Sequence, residues 1–397
     1  MARGIVSTGV HLPRRRLDRG TIREVAGLGG GSGSRTVASY DEDTTTMGVE
    51  AARAALWAAP DARPSTVWFS TVAPAYADKT NATAVHAALR LDDGAPAFDA
   101  NGSVRSAVGA LRAALDGRGP TLVVAADLRT GLPGSPDEAA GGVAGAALLV
   151  GDDDPVAEVL AWGSATEEFL DRWRVPGADR SQLWEERFGE VRYTALGQAA
   201  WDDALKSAGL VADQVDRVVV AAGHGRAATS LLKKLGAGAA VPATDSLAGR
   251  LAAEVGFAGA AQPALALAAA LEDASPGEVV ALVVLSDGAD VLLLRTTDAL
   301  ATQRPARPLA AQLAAGLPVT YGRYLAWRGF LPVEPPRRPE PARPSARAAD
   351  RSRHWKFGCV GSQGDDGEVH LPPAPGDRER ARPMADATGN FVTFTVV

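Results

Sequence analysis

Cysteine is almost absent: the 397-residue chain holds one, Cys359. A single thiol excludes an internal disulfide and any metal site built from several cysteines of one chain. No stripe of basic residues interleaved with aromatics occurs, and the formal net charge is −6, which argues against a nucleic-acid partner. No apolar run approaches the length of a membrane span, and the opening MARGIVSTGVHLP has no apolar signal core. The expectation is a cytoplasmic protein without a membrane partner. Neither a phosphate-binding P-loop nor a dinucleotide fingerprint is present, no metal-ligand spacing is found, and no Ser-His-Asp order stands out. No metal and no resident cofactor are therefore expected.

What remains is the composition of a globular protein with a large core, 46% apolar and 22% charged. Up to about residue 300, apolar strand-like runs alternate with Ala-rich helical segments. Strands are expected at 4–8, 66–72, 95–100, 121–126, 143–150, 156–162, 216–222, 278–285 and 289–296. Helices are expected at 46–59, 80–90, 103–115, 190–208, 226–235, 244–255 and 260–273. Thr44, Thr45 and Thr46 offer an N-cap for the first of these helices. Residues 301–350 are rich in Pro and Arg and read as a linker or wrapping arm. The closing NFVTFTVV alternates like an opening strand.

Two stretches repeat one order. SVRSAVGALRAAL (103–115) precedes GPTLVVAAD and GGVAGAALLVGDD; AAQPALALAAALE (260–272) precedes GEVVALVVLSD and GADVLLLRTTD. Each runs helix, strand, strand, and the shared order and spacing point to duplication.

The segments IVSTGVHLPRRRL, SYDEDTTTMGVEAARAAL, YADKTNATAVHAAL, FDANGSVRSAVGAL and SDGADVLLLRTTD resemble, in order and spacing, the thiolase superfamily. The likeness is to its 3-hydroxy-3-methylglutaryl-CoA synthase-like branch, akin to ketoacyl synthase III. It implies an α/β thiolase fold: two duplicated βαβαβ halves (1–155 and 156–300) in layered α-β-α-β-α arrangement. After the linker, GCVGSQ, VHLPP and GNFVTFTVV resemble a degenerate zinc-ribbon and the start of an OB-fold module (351–397), a small β-rich tail. The family ribbon uses four cysteines where only Cys359 remains, so no zinc is expected.

The same resemblance implies a cysteine nucleophile at the N-terminus of a buried helix, and the matching position is Val104. The family's glutamate falls on Val72, its histidine on Ala222 and its asparagine on Phe257. All four expected polar groups are apolar, so no half-satisfied catalytic network is left behind. His224, between glycines after a strand, and Tyr76, in APAYADK, are the remaining acid–base candidates. Arg105, paired with Asp99 or with a CoA phosphate, and Ser103 flank the old nucleophile position. Gly223, Gly225 and Gly256 lie in turns that suit close approach to a pantetheine arm. The aromatic, charged stretch 167–193 resembles the family's cap insertion, with Trp173, Trp184, Phe188 and Tyr193 lining a pocket or its lid.

Two functions compete. One is an acyl-CoA enzyme that forms or cleaves a C–C bond without an acyl-cysteine, in the manner of a retro-aldolase or an acyltransferase of the synthase type. Coenzyme A thioester would be its substrate. The other is a non-catalytic thiolase-fold subunit. Either implies a homodimer, or a heterodimer with a thiolase-superfamily or OB-fold partner. An open cleft favours the enzyme; a cleft filled by Phe257 favours the scaffold.

Overall fold

The computed structural model describes residues 3–178, 180–235, 241–335, 337–338, 342–374 and 380–387. Its contacts separate into two units: Met1–Ala82 with Asp92–Val333, and Thr83–Leu91 with Glu334–Val397.

Nine apolar runs of the first unit form one sheet. They are β1 (Gly4–His11), β2 (Thr66–Ser70), β3 (Ala97–Asp99), β4 (Thr121–Leu128), β5 (Val143–Gly151), β6 (Ala157–Ala165), β7 (Arg217–Ala222), β8 (Val279–Leu285) and β9 (Ala289–Thr296). Their spatial order is β7-β8-β9-β6-β1-β5-β4-β2-β3. Every residue of β5 and of β8 is buried, which is why these strands read as unbroken apolar runs rather than alternating ones.

The order is a duplication centred on the β1–β6 seam. In the first half β1 pairs antiparallel with β5, β5 antiparallel with β4, and β4 parallel with β2. In the second, β6 pairs antiparallel with β9, β9 antiparallel with β8, and β8 parallel with β7. The β1–β6 register consists of two residue pairs, Gly4 with Glu158 and Ile5 with Ala157.

Helices complete the layers. Helix α1 (Thr44–Ala58) packs on β1, β5 and β4 of the first half. Helix α2 (Val104–Asp116) follows β3, and the short helix α3 (Pro136–Ala140) follows β4. Helix α4 (Glu186–Ala208) packs on β6, β9 and β8 of the second half. After β7 come α5 (Gly225–Lys234), α6 (Leu247–Glu254) and α7 (Gln262–Glu272). Helix α7 touches β5, β7 and β8, strands of both halves, and its residues Gln262 to Leu271 are all buried. An Ala/Leu helix without a polar face suits only such a central layer. The arrangement is the expected α-β-α-β-α stack.

Two expectations differ from the structure. The N-cap of α1 is Asp43, not a threonine: its carboxylate accepts the Thr46 N–H while the Thr46 hydroxyl accepts the Asp43 N–H. Part of the supposed linker is folded as well. Helices α8 (Leu309–Ala314) and α9 (Tyr321–Trp327) belong to the first unit, where Leu309, Leu313, Tyr321 and Tyr324 are buried. The apolar anchors between the prolines outweigh their effect on composition.

In the second unit, Val360–Gln363 lies between Val369–His370 and Ala381–Pro383, antiparallel to both, after helices Ala346–Arg351 and Arg353–Gly358. The strand expected in 389–397 lies outside the described residues. Among the described residues no helix is long and apolar enough to cross a membrane.

Candidate active site

The parallel strands β2, β3, β4, β7 and β8 end at one cleft of about 1030 Å³, lined by Val72, Asn101, Arg129, Gly223 and Asp287 among others. The carboxyl ends of strands are where open α/β sheets place ligands, because loops there are free to carry polar groups. Three of the four positions matched to family catalytic residues, Val72, Val104 and Phe257, line this cleft. Val104 opens α2, whose N-cap Ser103 accepts the Ser106 N–H at 3.2 Å. Ala222 does not line it; it packs into the apolar cluster of the second half, and Gly223 takes its place.

The cap segment forms one wall. Arg172–Trp173 pairs with Gln182–Leu183, and Trp173 lies against Trp184 with ring centroids 5.9 Å apart. Trp173, Trp184 and Tyr193 line the cleft. Phe188 does not, contrary to expectation: it packs edge-on against Phe169, with Arg192 over its ring.

His224 lines the cleft together with Gly223 and Gly225. Both of its ring nitrogens are engaged. Nδ1 accepts the Ala227 N–H at 3.1 Å, capping α5, and Nε2 donates to the Glu186 carbonyl at 2.8 Å. A histidine held at both nitrogens positions a loop and has no nitrogen free for a substrate proton.

Tyr76 stands outside the cleft lining, 62% exposed, with Lys79 over its ring. Its neighbours Pro74 and Ala77 do line the cleft. Arg105 is committed elsewhere. It pairs with Asp290 at 2.9 Å and donates to the Asp287 carbonyl, the Ser164 hydroxyl and the Ala165 carbonyl. Asp99, its expected partner, instead accepts from Asn81 and Ala82. Gly256, at φ +91°, abuts the Gly141 backbone and sets the turn that delivers Phe257.

The titratable groups that do face the cleft went unread in the sequence. Asp171 lines it beside Tyr193. Burial raises the Asp171 carboxyl above the ordinary range, against the opposing pull of His224, Tyr193 and Arg172. Tyr193 is pushed up in turn, by burial and by the Asp171 charge. Beside them sit Arg129, Arg172 and Arg174. Burial pushes the Asp137 carboxyl up, but the Arg172 hydrogen bond at 2.6 Å and the charges of Arg172 and Arg129 outweigh it and hold it low. Asp127, wholly buried behind Arg129, is raised by burial despite N–H donors from Leu128 and Ala260. A raised carboxyl on an open cleft is an acid–base candidate with a physical cause.

No family model matches the chain. Curated relatives include the hydroxymethylglutaryl-CoA synthase of Aeropyrum pernix, 28% identical over 313 residues, covering 75% of this chain and 85% of that protein. The Methanosphaera stadtmanae enzyme of the same description is 26% identical, covering 83% and 99%. Among solved structures, an HMG-CoA synthase complexed with CoA superposes with a TM-score of 0.71 at 18% identity, covering 82% of this chain and 89% of that one. The 3-oxoacyl-(acyl carrier protein) synthase III of Pseudomonas aeruginosa does so at 0.63 and 21%, covering 75% and 99%. A curacin-pathway HMG synthase in complex with holo donor-ACP gives 0.68 at 16%, covering 82% and 88%. The fold is therefore the thiolase fold, and the similarity in sequence is to the HMG-CoA synthase-like branch.

Proposed function

We propose that the cleft binds an acyl thioester of coenzyme A and makes or breaks a C–C bond beside its carbonyl by acid–base chemistry, with no acyl-cysteine. The observation that carries this reading is that the cleft is open. Val72, Val104 and Phe257 replace polar groups, yet about 1030 Å³ remains at the strand ends. The kinship with synthases, one solved with CoA, supports a thioester ligand. The donor-ACP complex of another neighbour supports a carrier protein as a second source of the same pantetheine arm.

In the cleaving direction, ionised Asp171 takes the proton of a β-hydroxyl. The C–C bond electrons move toward the thioester carbonyl, a carbonyl forms at the former hydroxyl carbon, and the enolate carbon takes back the proton from Asp171, which regenerates the base. The Val104 and Arg105 N–H groups open α2, while that of Ser106 is taken by Ser103; the first two stabilise the oxyanion. Tyr193 favours the ionised form of Asp171, and His224 holds the loop. Pairing with a second thiolase-fold or OB-fold chain is part of the same proposal.

The second reading, a non-catalytic subunit, draws on the apolar replacements and on the doubly engaged His224. Calorimetric titration with acetyl-CoA, propionyl-CoA and free CoA separates the two. The enzyme reading expects saturable binding below about 100 μM, roughly −5.5 kcal/mol, and then turnover of a β-hydroxyacyl-CoA. A folded chain that binds none of these esters leaves the scaffold.

A further inference from the structure

Helix α9 contributes nothing to the cleft lining, yet it is tied to a segment that does. Its Tyr321 hydroxyl donates to the Glu138 carboxylate, 3.1 and 3.0 Å from the two oxygens. Its Tyr324 hydroxyl donates to the Thr130 carbonyl at 3.0 Å. Both tyrosines are buried, and so is Glu138, whose carboxylate also accepts the Gly134 N–H at 2.7 Å. The buried Arg35 guanidinium faces the Tyr324 ring, 5.5 Å from its centroid, and donates to the Glu138 and Arg129 carbonyls. Residues 129–138 are thus pinned from outside the cleft.

Other residues of the same segment face inward. Arg129, Pro136, Asp137 and Ala140 line the cleft. Asp137 accepts from Arg172 of the cap at 2.6 Å, and Arg129 stands 4.0 Å from the same oxygen. Phe257 donates its N–H to the Ala140 carbonyl and accepts the Gly142 N–H, both at 2.9 Å. Neither α3 nor the cap holds itself in place. Helix α3 has five residues, too few to persist on its own hydrogen bonds. The cap hairpin pairs two residues with two, and such a ribbon is marginal alone. Side chains must fix both, and the adjacent Asp137 and Glu138 do so, one toward the cap and the other toward α9.

We infer that Tyr321 is a positioning residue for the cap: through Glu138 and Asp137 it fixes Arg172, and with it the neighbouring Asp171. This rests on the reading of Asp171 as the base and adds what holds that base in place.

The test is peptide-resolved hydrogen exchange on wild type, Tyr321→Phe, Asp137→Asn and the double variant, with kcat and KM for a β-hydroxyacyl-CoA measured beside it. Circular dichroism checks the fold, and Tyr324→Phe serves if Tyr321→Phe does not fold. Each single substitution is expected to speed exchange in 172–184 about fivefold or more and to leave the C-terminal half of α4 unchanged. The double variant should exceed the faster single one by no more than about twofold, since both break one chain of contacts. In Tyr321→Phe, kcat should fall about tenfold at a KM within about twofold of wild type, because a misplaced base weakens the transition state and not ester binding. Cap exchange within about twofold of wild type in Tyr321→Phe, with faster exchange in α9 alone, overturns the inference and leaves the thioester reading standing. So do effects that multiply in the double variant, or a loosened cap with unchanged kcat. If wild type turns over no thioester, that reading falls by itself, and cap exchange decides whether Tyr321 positions Arg172.

Discussion

Replacing Asp171 by Asn is expected to lower turnover of a β-hydroxyacyl thioester by about 10²- to 10⁴-fold, the usual contribution of a positioned base. Affinity for the ester should change little, because the substitution keeps shape and removes only the basic oxygen. The pH profile gives the sharper readout. The base works ionised, and burial raises the Asp171 carboxyl in the folded protein. Activity should therefore fall with pH through a value above the ordinary ~3.9 of aspartate. The Tyr193 hydroxyl favours the ionised form of Asp171, so Tyr193→Phe should move this limb to still higher pH. His224→Ala removes the cap of α5 and the bond to the Glu186 carbonyl, with an expected loss of about 1 kcal/mol of stability. Asp171→Asn turnover within threefold of wild type, with the acid limb intact, would remove Asp171 from the mechanism.

The strands were legible because burial wrote them as apolar runs. All nine fall within a few residues of their expected places, and the repeat of helix, strand, strand maps onto α2-β4-β5 and α7-β8-β9. The convergence of Val72, Val104 and Phe257 on one cleft was legible only through the family likeness, since no local pattern links positions so far apart. The charged lining was not legible. Asp171, Arg172 and Arg174 lie in the cap stretch, where only the aromatics marked a pocket because charges are more commonly solvated, and the hairpin of the cap brings them to the cleft. In TLVVAADLRTG two charges end an otherwise apolar strand, which is the one signal that pointed to Asp127 and Arg129. The glycines around His224 show in the sequence that it sits between a strand and a helix. Its bond to Glu186 does not show there, because the two residues are distant along the chain.

A single methyl group at Gly163 or at Gly9 should cost about 3 kcal/mol or more, enough to threaten folding outright. These glycines occupy matching places in the two halves. Gly9 on β1 lies under α1, where a Cβ would stand 2.1 Å from the Ala51 carbonyl oxygen. Gly163 on β6 lies under α4, where a Cβ would stand 2.0 Å from the Ala200 carbonyl oxygen. Both obstacles are helix backbone, so no rotamer change relieves them; the helix must lift off its sheet. Each helix presents alanines four apart at the contact, Ala51 with Ala55 and Ala200 with Ala204, which lets it sit that close. Gly109 is the control. It lies within α2, its backbone is not left-handed, and nothing stands within 4 Å of where an added methyl group would sit. Gly109→Ala should stabilise by roughly 0.5–1 kcal/mol, because alanine loses less backbone freedom in a helix. Urea unfolding of the three variants measures these differences from the midpoint at constant slope. Opposite signs for Gly109→Ala and the other two locate the cost in the helix–sheet contact. A Gly163→Ala midpoint equal to wild type would mean that α4 stands farther from the sheet than the duplicated packing requires.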